Sequence, residues 1–202
     1  MSRLKITFFL IVLLVLCSAQ AATAGQDAQS YYGSGNTYFN KGQFDKAIKE
    51  YGRAIALNPD FTDAYYNRGL AYYKEGKYYE AIDDLGRAVP SYPKDAELFH
   101  MRGLAYFKTG QYEKAVQDYT KVLSLRPDAA DIFQNRGVAY TRRGQYDEAI
   151  QDFNKAISLK PDYPEAYFSR GYAYIKKAAA DFKKVCATGN RQACDNLKQL
   201  SE

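Results

Sequence analysis

The chain's single histidine, His100, sets the first limit on its chemistry. Catalytic triads, zinc sites built from two or more histidines, and haem motifs of the C-x-x-C-H kind cannot be assembled around it. No glycine-rich phosphate loop and no metal-ligand cluster accompanies it. A Ser/Lys or carboxylate-pair site stays open on these grounds, but the sequence offers no constellation to build one on. The expectation is a non-enzymatic protein with no catalytic residues, no metal, no cofactor and no small-molecule substrate. Three cysteines remain as reactive side chains, Cys17, Cys186 and Cys194.

Cys17 falls in a stretch, 1–24, that reads as an export signal rather than as part of a fold. Arg3 and Lys5 precede the apolar run Ile6 to Leu16, broken only by Thr7. As a helix that run spans about 17 Å, against a hydrocarbon core of roughly 30 Å. Both Ala19-Gln20-Ala21 and Ala22-Thr23-Ala24 fit an A-x-A cleavage site. The protein is therefore expected in the periplasm or outside the cell. Membrane contact would follow only from an uncleaved signal or a lipidated Cys17, and Leu16 is larger than the residue that usually precedes a lipidated cysteine. Loss of Arg3 and Lys5 lowers the formal charge of +5 by two, to +3. So small a charge argues against a nucleic-acid partner. Cys186 and Cys194 are then an even pair, which in an exported chain points to a disulfide.

The elements that carry these residues repeat. Tyr38, Tyr72, Tyr106, Tyr140 and Tyr174 stand 34 apart, as do Gly35, Gly69, Gly103, Gly137 and Gly171. Gly42, Gly76, Gly110 and Gly144 keep the same step, with Ala47, Ala81, Ala115 and Ala149, and with Pro59, Pro93, Pro127 and Pro161. Each repeat reads as two helices. Between Ala130 and Pro161, Phe133, Gly137 and Tyr140 mark one face of helix A. Gly144 ends that helix, where positive φ is wanted. Tyr146, Ala149, Ile150, Phe153, Ala156 and Ile157 mark helix B, and Pro161 stops it. Small Gly137 and Ala149 are expected to let the helices approach, with Tyr140, Tyr146 and Phe153 around them. One hairpin cannot bury its apolar face alone, whereas stacked neighbours can.

On these residues, the aromatic-x3-Gly-x2-Tyr block, the A-x3-aromatic block and the closing Pro, residues 28–177 resemble the tetratricopeptide repeat family. Full repeats start at 28, 62, 96 and 130, and a partial fifth starts at 164. The resemblance implies an all-α, right-handed superhelical solenoid of antiparallel helix pairs, a scaffold whose concave face holds a protein or peptide partner. In the family, the fifth, ninth, twelfth and thirteenth positions of helix A line that groove. Here the fifth are Tyr32, Tyr66, His100, Gln134 and Phe168, and the ninth are Asn36, Leu70, Leu104, Val138 and Tyr172. The twelfth are Phe39, Tyr73, Phe107, Thr141 and Ile175, and the thirteenth are Asn40, Lys74, Lys108, Arg142 and Lys176. Such a groove is aromatic and apolar with a basic edge, opposite an acidic row of Asp63, Glu97, Asp131 and Glu165. Groove aromatics that merely pack between repeats, and charges that merely answer the helix dipole, are the competing reading. The carboxylate clamp of some relatives is expected to be absent, because Tyr32, Glu97 and Met101 stand where Lys or Arg is needed.

Four departures shape the rest. Arg68, Arg102, Arg136 and Arg170 precede the helix A Gly, where the family has an apolar residue. Asp84, Asp118 and Asp152 stand on helix B, so Arg–Asp pairs within repeats two to four are expected. The first repeat has Ser34 and Glu50 instead. Pro90 should end the second helix B about a turn early and alter the stacking beyond it. In the fifth repeat five residues are missing between Tyr174 and Phe182, and Ile175 to Asp181 holds no breaker. This predicts one long helix from about 165 to 187. The remainder, 178–202, is expected to cap the array, with Cys186 and Cys194 on two short helical segments either side of Gly189-Asn190. That pair looks like the cysteine clamps of Sel1-like repeat proteins, a clamp worth about 2.5 kcal/mol in the chain-entropy model. The leading expectation is thus an interaction scaffold of the cell envelope. A lipid-anchored outer-membrane assembly factor, an RNA-binding helical array and an enzyme are the alternatives.

Overall fold

The computed structural model describes residues 26–200. The expected export signal and Cys17 lie outside the described residues. Among those described, the chain is all helical and has no strand. It divides into two compact bodies between Pro93 and Lys94. The N-terminal body holds α1 (26–40), α2 (Phe44–Leu57), α3 (Thr62–Lys74) and α4 (Tyr78–Ala88). The C-terminal body holds α5 (Ala96–Lys108), α6 (Tyr112–Leu125), α7 (Ala130–Arg142), α8 (Tyr146–Leu159), α9 (Pro164–Cys186) and α10 (Arg191–Gln199). Helices α1 to α8 are four A/B pairs, and each body stacks its own pairs.

The turn inside each pair is fixed by its glycine. Gly144 takes φ 77°. Its N–H donates to the Thr141 carbonyl at 3.1 Å, and that of Gln145 donates to the Tyr140 carbonyl at 2.9 Å. These are the two bonds that close a helix through a left-handed residue, and a side chain there would strain them. The other three turns repeat the pattern.

The pairs close on a ring-over-glycine contact. A Cβ on Gly137 would lie 2.7 Å from the Phe153 ring, and one on Gly103 would lie 2.9 Å from Tyr119. Phe153, Tyr119 and Tyr51 are buried completely or nearly so. This corrects one expectation. Gly137 faces the Phe153 ring rather than Ala149, and Ala149 packs beside that ring with Ile150 and Ala173. The glycine makes room for an aromatic, not for a second small residue.

The expected Arg–Asp pairs form. Arg68 Nε donates to Asp84 Oδ2 at 2.6 Å and Nη2 to Oδ1 at 2.9 Å. Arg102 grips Asp118 with two bonds of 2.8 and 2.7 Å, and Arg136 grips Asp152 with two of 2.8 Å. Each guanidinium also lies over two rings of its own helix, as Arg102 does over Phe99 and Tyr106. The Asp side chains are nearly buried. Burial pushes all three carboxyls up, and the facing guanidinium pulls each back. In the first repeat the arginine comes from helix B instead: Arg53 pairs with Glu50 and covers Tyr31.

The second helix B ends early, as expected from Pro90. Helix α4 has 11 residues where α2, α6 and α8 have 14. The fifth repeat is also as expected, with α9 running unbroken through 23 residues. The division expected between 177 and 178 falls inside this helix. Cys186 is the last residue of that long helix rather than part of a short segment. Asn190 caps α10 by accepting from the Ala193 N–H at 3.0 Å. The sulfurs of Cys186 and Cys194 are at bonding distance across this turn.

Candidate functional site

In the N-terminal body the helix A columns turn toward one another. Tyr32 stacks on Phe61 and Tyr51, with ring centroids 4.9 and 5.8 Å apart. Its hydroxyl accepts from Asn67 Nδ2 at 2.9 Å. Asn36 Oδ1 accepts twice, from Tyr51 Oη at 2.8 Å and from Asn67 Nδ2 at 3.0 Å. Burial pushes the Tyr51 hydroxyl upward, so it remains a donor at neutral pH. Phe39 meets Phe44 edge-on and Tyr73 meets Tyr78 likewise. Tyr66 lies against Tyr92 at 5.6 Å, while the Tyr92 hydroxyl donates to Asp63. Leu70 is half-buried and Lys74 is exposed. Tyr92 was not singled out from the sequence. It occupies the column of Asn58, Arg126 and Lys160, so nothing in the repeat pattern marks it.

In the C-terminal body the same columns line open space. A cavity of about 250 Å³ is bounded by Val138, Thr141, Arg142 and Phe153 on one side and by Phe168, Ser169 and Tyr172 on the other. A second, of about 220 Å³, is bounded by Leu104, Phe107, Lys108, Tyr119, Gln134, Asn135 and Val138. Val138 belongs to both, so they adjoin as one trough along α5, α7 and α9. Of the expected groove residues in this body, His100, Ile175 and Lys176 lie outside both walls. His100 is half-buried, with Asn135 Nδ2 at 3.5 Å from Nε2. Ser169, Asn135, Tyr119 and Phe153 line the trough without having been expected to. The rings of Tyr119 and Phe153 belong to the core as well.

The trough is apolar in its floor and basic at its rim. Phe168 is 78% exposed and Tyr172 42% exposed, one helical turn apart on α9. Lys108 and Arg142 are exposed at the ends of α5 and α7. Among the described residues no three His, Cys, Asp or Glu side chains are grouped as a metal ion requires. Among the same residues no helix is long and apolar enough to cross a membrane.

Family models described as "TPR repeat" match residues 35–76, 103–142 and 137–177, and one described as "Tetratricopeptide repeat" matches 62–95. Neither reaches the cysteine hairpin. The fold is similar to that of MamA, at 27% identity and a TM-score of 0.72 over 87% of this chain and 91% of that one. It is similar too to YrrB, described as a TPR protein with an unusual peptide-binding site, at 28% identity and a TM-score of 0.68 over 71% and 74% of the two chains. A tetratricopeptide repeat protein from Parabacteroides merdae shares the fold at 20% identity, with a TM-score of 0.68 over 87% and 73%. No curated protein matches the chain.

Proposed function

Since the chain belongs to the tetratricopeptide repeat family, we propose that it is a non-enzymatic scaffold of the cell envelope that holds a peptide or helix of a partner protein in the trough along α5, α7 and α9. One observation carries this reading. Helix A residues from three successive repeats adjoin as two cavities, and the aromatics of the last repeat stay open to solvent. Apolar side chains of an extended or helical segment would anchor there. Lys108 and Arg142 at the rim favour a segment with acidic residues between its anchors. The peptide site in the description of YrrB supports the same kind of partner. The envelope location rests on the residue pattern of 1–24 and on the pairing of Cys186 with Cys194, which an oxidising compartment would sustain.

Crosslinking in native envelope, followed by mass spectrometry, tests the reading. Wild type and a Phe168→Ala/Tyr172→Ala variant are compared. Loss of the crosslinked partner in the variant supports the trough, and equal recovery of every partner counts against it. The N-terminal mass of the purified protein tests the export reading and separates cleavage near Ala24 from lipidation at Cys17.

A further inference from the structure

The fifth repeat carries the parts of a closed helix pair but cannot close on itself. Asp181 and Phe182 correspond to Asp152 and Phe153, and Ala178 corresponds to Ala149, once the five missing residues are allowed for. Arg170, Gly171 and Tyr174 correspond to Arg136, Gly137 and Tyr140. In the fourth repeat these sets face each other across a turn. In the fifth they lie on one continuous helix, Arg170 about 16 Å from Asp181 along the axis. Eleven residues make close to three turns, so both sets share one face of α9.

The N-terminal part of that face has no cover within the body, while α10 packs on α9 and leaves Ala178 and Phe182 half-buried. A Cβ on Gly171 would meet nothing within 4 Å, whereas the other four glycines of its column are each overlain by a Tyr, Phe or Leu side chain. Tyr167 is 46% exposed and Tyr174 is 52% exposed. Arg170 reaches sideways to Asn154 Oδ1 at 2.7 Å, and exposed Asp181 pairs with Lys184 at 3.7 Å. The adjacent stripe of the helix is packed, since Ala166 and Ala173 are fully buried.

We infer that this face binds a second copy of the chain, two α9 helices pairing antiparallel about a two-fold axis near residue 176. Arg170 then meets the second copy's Asp181, Gly171 receives its Phe182, and Tyr174 meets its Ala178. The register keeps both sets of contacts at once. Arg170 with Asp181 and Gly171 with Phe182 are offset along two antiparallel helices as Arg136 with Asp152 and Gly137 with Phe153 are. The two-fold repeats every contact, as an isologous interface requires. The missing turn makes the intrachain pair impossible and leaves the same pair available between chains, which is the logic of an exchanged element. A helix of another protein would need to reproduce this spacing of Asp and aromatic by coincidence, whereas a second copy carries it. The seam uses Tyr167, Arg170, Gly171 and Tyr174, not the trough residues Phe168 and Tyr172, so either reading can fail alone.

Sedimentation equilibrium of the full-length chain, expressed with its own N-terminal segment, tests the inference. Wild type should dimerise reversibly. Arg170→Asp and Asp181→Arg should each weaken the dimer at least about tenfold, because each faces like charges at two symmetric places. The double variant Arg170→Asp/Asp181→Arg should restore it. In a second arm, Gly171→Cys/Phe182→Cys should give a disulfide-linked dimer, since the two positions are too far apart on one helix to bond. A wild type that stays monomeric overturns the inference. So does a dimer indifferent to the single reversals, or one that the double reversal does not restore.

Discussion

Gly137 and Gly171 occupy one column of the repeat, as Arg136 and Arg170 do, yet they end in opposite environments. In the fourth repeat the turn at Gly144 folds α8 back onto α7. Phe153 then covers Gly137, and Asp152 is gripped by Arg136 with two bonds of 2.8 Å. In the fifth repeat the turn is gone, Gly171 is uncovered, and Phe182 lies half-buried further along α9 instead of over it. The residue types are nearly unchanged, so identity in a column does not decide between core and surface. Closure by a five-residue turn decides it. The same aromatic that packs a repeat when the hairpin closes becomes a docking residue when it cannot.

The largest test of this contrast removes the carboxylate from each repeat. Asp152→Ala strands Arg136 partly buried without its counter-charge, and should cost about 3–5 kcal/mol. Asp181→Ala touches only an exposed carboxylate and should stay within about 0.5 kcal/mol in dilute protein. Denaturant unfolding of both variants checks this. Comparable losses would show that α9 hides a partner for Asp181 and would break the comparison.

Restoring the turn should convert one repeat into the other. Inserting Gly-Gln-Tyr-Asp-Glu, the residues 144–148 of the fourth repeat, between Lys177 and Ala178 gives α9 the break it lacks. Phe182 should then fold onto Gly171 and Asp181 onto Arg170. Completing the burial of that half-buried phenylalanine stabilises by about 1 kcal/mol. The measurement is a rise in Tm together with loss of the concentration-dependent dimer. An insertion that leaves α9 straight, or lowers Tm, would mean that more than the turn separates the two repeats.

The glycines give a contrast of opposite sign. Gly137→Ala drives a methyl into the Phe153 ring and should cost about 1–3 kcal/mol through overpacking. Gly171→Ala meets open space in a helix interior and should gain about 0.5–1 kcal/mol, from the lower entropy of the unfolded chain. Thermal unfolding at low protein concentration, where the chain is monomeric, separates the two. A loss at both positions would mean that something already covers Gly171.

Most of the architecture was legible because the columns repeat five times and each has a local cause. A glycine with positive φ ends helix A, and a proline ends helix B. The unbroken α9 was equally legible, since a deletion that removes the glycine leaves only helix formers. The candidate site was legible as columns but not as exposure. Tyr66 and Phe168 hold the same position in their repeats. Tyr66 is covered because Pro90 shortens α4 and brings Tyr92 onto it, and Phe168 is open because no closed pair follows. Asn36 likewise stands in a groove column, but both of its accepted bonds come from Tyr51 and Asn67. Side-chain partners of this kind depend on where the neighbouring element runs, which repeat spacing does not encode.

The fifth position of helix A carries the smallest test. His100 holds it in the third repeat, half-buried where Phe168 of the fifth is open. Burial lowers the His100 affinity for a proton, while Glu97 and Asp131 pull weakly the other way and Arg126 adds to the lowering. The folded chain therefore takes up this proton less readily than the unfolded chain. As pH falls through the ordinary histidine value, the unfolded chain protonates first, so stability is lost on acidification and is fully present above that value. The buried carboxyls of Asp84, Asp118 and Asp152 act in the opposite sense but nearer the carboxylate range. His100→Gln removes the histidine contribution and leaves the carboxylates in place. The variant should lose less stability than wild type between pH 7 and pH 5, as read from denaturant midpoints at each pH. Phe168→Gln, at the same position in the open repeat, should leave the wild-type slope unchanged. Equal slopes in wild type and His100→Gln would place the third repeat's groove position in solvent, alongside the fifth.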